Sequence, residues 1–242
     1  MSARSTASEK QTGDAVIQGH IGPNSVIQLK AAMVDALGPE PSEALFERAG
    51  YKALFNDPPT EMIPEVIPQQ LFATLFESLP LEQAIHIAEG AGTLTADYII
   101  NNRIPAPIAT LLRYLPPSWA GRVLLKAIEQ HAWTFAGSGV FSLERDKAPS
   151  IVIESNPLAM PQGSWHGAVF ERMFKTLVCP GAQVQAQCGE NIPGTKMVPP
   201  QSRFTLEYGA QSRALGCSRS ALGSLVCLRC MARGKSRPSQ LH

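Results

Sequence analysis

LLRYLPPSWAGRVLLKAIEQHAWTFAGSGVFSL (residues 111–143) carries a double proline, an amphipathic helix, a glycine hinge and the start of a strand. Pro116 and Pro117 stop whatever precedes them, and Ser118 is placed to accept a free backbone N–H at the start of the next helix. The pattern predicts a helix over residues 119–135, released at Gly137 and Gly139. At 100° per residue, Leu124, Ile128, Ala132 and Phe135 fall on one stripe with His131 on its flank. Arg122, Lys126, Glu129 and Gln130 lie opposite, and Trp119 and Trp133 share that charged side. Two readings of the tryptophans follow: stacking beneath Arg122 or Lys126, or a surface covered by a partner or ligand.

Outward from this stretch, Asn24 or Ser25 can cap a helix ending at Gly38, and Ser42 a shorter one ending at Gly50. Residues 55–68 hold Pro58, Pro59, Pro64 and Pro68 and read as an extended connection. Helical pattern returns over 69–79, 81–102 and 108–114. After Gly139 the character changes. Residues 140–145 and 151–154 have strand composition, 165–178 is helical, and 183–188 and 203–208 alternate as half-exposed strands. Helices first, then strands around one more helix, predict an α+β fold with an antiparallel sheet.

The order of several motifs resembles the vinyl-reductase (V4R) family of bacteriochlorophyll-biosynthesis proteins of purple phototrophic bacteria. They are IGPNSVIQL (21–29), AGTLTADYIINNRIP (91–105), YLPPSWAGRVLLKAIEQHAWTFAGSG (114–139), SNPL (155–158) and FERMFKTLV (170–178). The resemblance spans roughly residues 20–208. It implies a small-molecule-binding domain related to trafficking-complex and nitric-oxide-sensor ligand-binding folds. It also implies a role near reduction of the 8-vinyl (formerly 4-vinyl) group of divinyl protochlorophyllide or chlorophyllide. Residues 1–20 then form a disordered arm, 21–208 the V4R-like domain and 209–242 a basic, disordered tail outside the family pattern.

The chain has 21 basic and 20 acidic residues, yet residues 209–242 hold six basic groups and no acidic one. Removing those six from the net +1 leaves −5 over the first 208 residues. That balance gives no electrostatic case for nucleic acid. The polar N-terminus and the lack of a run of about 20 apolar residues argue against a signal peptide and a transmembrane segment. Five cysteines without a signal suggest a reducing, cytoplasmic setting, with peripheral contact to the photosynthetic membrane allowed.

No cofactor site is identifiable. Gly90-Ala91-Gly92 lies inside a helical pattern and lacks the strand–turn–helix context of a dinucleotide loop. Ala88, Gly92 and Ala96 instead make a smooth strip for helix packing, a flat ring, or a homodimer contact. Cys227 and Cys230 form a lone CxxC, a weak zinc candidate that Cys217 and His242 could complete on paper. By resemblance, Cys188 matches the first of a family cysteine pair, and Ser202 stands where the second is expected. Activity that needs that pair is therefore in doubt.

His166 joins Phe170, Met173, Phe174 and Leu177 on one stripe, and His131 borders another. Each reads either as a satisfied core histidine or as the fifth ligand of a chlorin magnesium. Pigment-binding candidates are thus His131, His166, Phe170 and Gly92, with burial of the macrocycle supplying most of the affinity at roughly 25 cal/mol per Å2. His86 ranks below them. Catalytic residues are unknown, because no nucleophile–base pair stands out. The expected ligand or substrate is a magnesium tetrapyrrole such as protochlorophyllide or chlorophyllide. NADPH enters only if the chain is itself the reductase, and other bacteriochlorophyll-synthesis enzymes are possible partners. A chlorophyllide-binding accessory or carrier is favoured, against the vinyl reductase itself and a trafficking-type protein adaptor.

Overall fold

The computed structural model describes residues 19–145, 148–188 and 201–208. The expected tail and all but the end of the expected arm lie outside them. At the arm's edge, β1 (His20–Ile21) pairs antiparallel with β2 (Ile63–Pro64).

The helical half contains α1 (Asn24–Leu37), α2 (Pro39–Arg48), α3 (Lys52–Asn56), α4 (Val66–Ser78), α5 (Leu81–Asn102), α6 (Ala106–Tyr114), α7 (Pro117–Gln130) and α8 (Trp133–Ala136). β3 (Val140–Glu144) and β4 (Ser150–Glu154) follow, then α9 (Ser164–Leu177), β5 (Gln183–Cys188) and β6 (Ser202–Glu207). The last four strands form one antiparallel sheet in the order β3-β4-β6-β5. The fold is α+β.

The long α5 is the axis of the molecule, packed chiefly against α9 and α1. Its small residues explain the closeness. A Cβ added at Gly92 would stand 2.4 Å from the Trp165 carbonyl oxygen and 2.9 Å from the Ala168 Cβ, so only glycine lets the two backbones meet there. Ala88 and Ala96 are buried too. The strip proposed for dimerisation is therefore spent on packing inside the chain.

On its other side α9 meets the sheet. Ser202, Phe204 and Leu206 of β6 face inward by strand alternation, and Phe204 packs edge-on to Phe170 at 5.2 Å between ring centroids. Ile151 and Ile153 of β4 complete that floor.

Several local expectations are corrected. Ser118 does not cap α7: Pro116 holds the N-cap position in an extended conformation and Pro117 occupies the first turn. Ser25 bonds back to the Gly22 carbonyl, and Ser42 lies inside a helix that begins three residues earlier, bonding to the Gly38 carbonyl. Residues 55–68 are not simply extended, since α3 ends and α4 begins within them. The predicted 119–135 helix is broken after Gln130. His131 Nδ1 lies 2.9 Å from the Ala127 carbonyl oxygen, the group its own backbone N–H would have bonded in a continuing helix. That N–H turns to Ile128 instead, and α8 restarts at Trp133.

Candidate functional site

A half-open cleft of about 230 Å3 lies between α4 and the segment leading from β4 to α9. Gln69, Phe72, Ala73 and Phe76 form one wall, and residues 157–161 (Pro157, Leu158, Ala159, Met160 and Pro161) the other. The α4 residues line it because positions 69, 72, 73 and 76 recur at helical spacing on one face. Behind Phe72 stands Trp165, with ring centroids 6.3 Å apart, and Trp165 in turn meets His166 at 4.7 Å.

The second wall is a strap held at both ends by unusual backbone. Ser155 (φ 52°) and Gln162 (φ 57°) are the non-glycine residues with positive φ among those described, and they bracket it. Such conformations cost roughly 1–3 kcal/mol each and persist only where the surroundings enforce them. At the far end Gly163 also has φ +61°, and a Cβ there would meet Ala186 and Phe204 within 2.8 Å. At the near end Asn156 is the anchor. Its buried side chain donates to Ser202 Oγ at 2.9 Å and accepts the Leu158 N–H at 3.0 Å. The SNPL motif thus has a physical role in fixing the strap to β6. Asn156 escaped the sequence reading, although a Ser-Asn-Pro run is a turn signal that could have marked it.

His166 is buried at the start of α9 inside a ring of Phe135, Trp165, Phe170 and Phe204. Burial lowers its pKa to about 4, while backbone hydrogen bonds to Phe135 and Leu158 act in the opposite direction. The imidazole is therefore neutral at physiological pH. Trp165 Nε1–H and Ser164 Oγ are buried without a hydrogen-bond partner among the described residues.

The structure brings His166, Phe170 and the strap together, with Gly92 behind them at the α5–α9 crossing. It does not bring His131 there. That side chain is exposed at the α7–α8 break and does not line the cleft, contrary to the expected apolar face. His86 is likewise exposed. Trp119 and Trp133 are exposed, and neither lies over a cation; the cation–ring contacts among the described residues are Lys30 on Phe55 and Arg103 on Tyr98.

Cys188 and Ser202 are cross-strand partners, with Sγ 3.7 Å from Oγ. Serine therefore stands beside the remaining cysteine at the position where the family resemblance expects a second thiol. Cys227 and Cys230 lie outside the described residues. Among the described residues, no three His, Cys, Asp or Glu are grouped to hold a metal ion.

The architecture is a helical half closed by a four-stranded antiparallel sheet with a helix across it. A solved structure from work probing the function of heme distortion in the H-NOX family superposes with a TM-score of 0.50 at 12% identity, covering 78% of this chain and 95% of that one. No family model matches the chain.

The sequence comparison is more specific. The chain is 36% identical over 196 residues to the bacteriochlorophyll synthase 23 kDa chain of Cereibacter sphaeroides, covering 78% of this chain and 94% of the relative. It is 35% identical over 183 residues to the chain of the same name from Rhodobacter capsulatus, covering 72% and 83% respectively. The protein belongs to the family of bacteriochlorophyll synthase 23 kDa chains, and its role is in bacteriochlorophyll biosynthesis. No helix among the described residues is long and apolar enough to cross a membrane.

Proposed function

We propose that the protein is a V4R-type tetrapyrrole-binding accessory or carrier acting at 8-vinyl reduction of divinyl protochlorophyllide or chlorophyllide. The observation that carries this reading is the apolar cleft, walled by Phe72 and Phe76 and closed by a strap under backbone strain. An apolar cleft with a few polar groups suits a flat, largely apolar ligand. At about 230 Å3 it lies below the usual size of a small-molecule pocket, so enclosing a macrocycle requires the strap to swing away from α4.

Two buried polar groups stand behind the cleft wall. Trp165 Nε1–H is a donor without a partner among the described residues. His166 is neutral, so its ring carries one N–H for its two backbone neighbours and keeps a lone pair on the other nitrogen. One of those neighbours, Leu158, belongs to the strap. Neither histidine considered as a magnesium ligand lines the cleft; His166 stands behind it, buried against Trp165 and bonded to the Leu158 backbone of the strap.

The carrier reading is preferred to the reductase because the features that hinted at redox machinery have packing roles. Gly92 is filled by the backbone of α9, and Cys188 faces a hydroxyl. Anaerobic incubation with divinyl protochlorophyllide, with and without NADPH, tests the choice by pigment chromatography. A shifted Soret band with unconverted pigment is expected. Conversion to the monovinyl product by the isolated chain would establish the reductase instead.

A further inference from the structure

Consecutive helices α6 and α7 leave a set of large apolar side chains uncovered. Leu111 is 55% exposed, Tyr114 85%, Trp119 63% and Val123 49%. On α6 the buried Ala109 and Leu112 put Leu111 and Tyr114 on the outward side. On α7 the buried Ala120, Leu124 and Ile128 leave Trp119, Arg122, Val123 and Lys126 outward, neighbours at i,i+3 and i,i+4 spacing.

Charge over the same stretch is one-sided. Between Asp97 and Glu144 the sequence carries Arg103, Arg113, Arg122 and Lys126 against a single carboxylate, Glu129. Yet the first 208 residues together are net negative. Glu129 is paired with Lys126 at 2.8 Å, and Arg113 donates to the Thr176 carbonyl. Arg122 forms no ion pair with any described residue. Aromatic rings with an apolar body and polar edge, interleaved with long cationic side chains, suit the headgroup layer of a bilayer. A surplus of positive charge selects an anionic one.

We infer that the α6–α7 face docks the protein on an anionic lipid surface, with Trp119 and Tyr114 entering the headgroup layer and Arg122 meeting lipid phosphates. This face lies outside the cleft. A protein that handles a pigment of low water solubility would thereby work at the bilayer surface.

The test uses the full chain and vesicles of phosphatidylcholine, with or without phosphatidylglycerol, whose acyl chains are brominated to quench nearby tryptophan. In a Trp133→Phe background, Trp119 is the exposed tryptophan of the described region and Trp165 is buried. Emission is expected to be quenched by the anionic vesicles, and the quenching to be lost when Trp119→Phe is added with circular dichroism unchanged. Arg122→Gln should bind the anionic vesicles about fivefold more weakly, the effect of one lost charge near such a surface. Sedimentation with vesicles but no quenching would assign binding to the basic residues 209–242 and overturn the proposal. So would the absence of binding, an unchanged affinity in Arg122→Gln, or a doubled mass without quenching, which would give the face to a second copy. Pigment binding by the same variants should be unchanged, so failure here is distinguishable from failure of the carrier reading.

Discussion

The Nε2 atom of His166 lies 3.3 Å from the carbonyl oxygen of Phe135, joining the first turn of α9 to the short α8. The contact sits in an aromatic shell that keeps the ring neutral, with a pKa of about 4. In the unfolded chain the ring takes up a proton near pH 6.5. The unfolded state therefore binds the proton first, and the stability His166 contributes is complete above about pH 6.5 and is lost as pH falls toward 4. Between pH 7 and pH 5 the wild type should lose about 2 kcal/mol more than a His166→Leu variant, measured by urea unfolding. Equal losses in the two proteins would show that the imidazole is not held neutral by the fold.

Gly92→Ala should destabilise the protein by about 2 kcal/mol, because the new methyl group must force α5 away from the Trp165 carbonyl oxygen. The mass measured by light scattering should not change. A dissociated oligomer with unaltered thermal stability would return Gly92 to a surface between subunits.

Asn156→Ala removes the anchor of the strap and leaves Ser202 Oγ and the Leu158 N–H without their buried partner. A loss of about 2 kcal/mol is expected from such unsatisfied groups. Hydrogen exchange should rise across residues 157–161 before it rises in β4 or α9. Uniform protection across these segments would show that Asn156 is not what holds the strap.

Much of the scaffold was legible because its periodicities are strong. Strand alternation marked Gln183–Cys188 to the residue, and the spacing of His166, Phe170, Phe174 and Leu177 marked the buried face of α9. Proline chemistry was read less well. It placed the start of α7 two residues late, at Trp119, and gave the cap to Ser118 when Pro116 and Pro117 already set the backbone. Leu124, Ile128 and Ala132 are buried as their stripe predicts, but the helix breaks after Gln130 and His131 on the flank is exposed with its ring at the Ala127 carbonyl, a local event no hydrophobic pattern encodes. The cleft itself was invisible. Its walls come from α4 and from a segment far along the chain, and only the order of packing brings Phe72 and Phe76 opposite Leu158 and Met160. The partnership of Cys188 with Ser202 was anticipated as a family position, and the strand register supplies its geometry.

Ala73 offers a direct handle on the cleft, since it lines the opening and is itself exposed. Ala73→Trp would fill that opening with an indole while leaving the core untouched, so its melting temperature should match the wild type. The decisive measurement is a difference-absorbance titration of divinyl protochlorophyllide into both proteins. The wild type should give a saturable Soret shift, and Ala73→Trp should need at least about tenfold more pigment to reach half of it, a penalty of about 1.4 kcal/mol or more. Superimposable titrations, or no shift with the wild type, would contradict a pigment site between α4 and the strap.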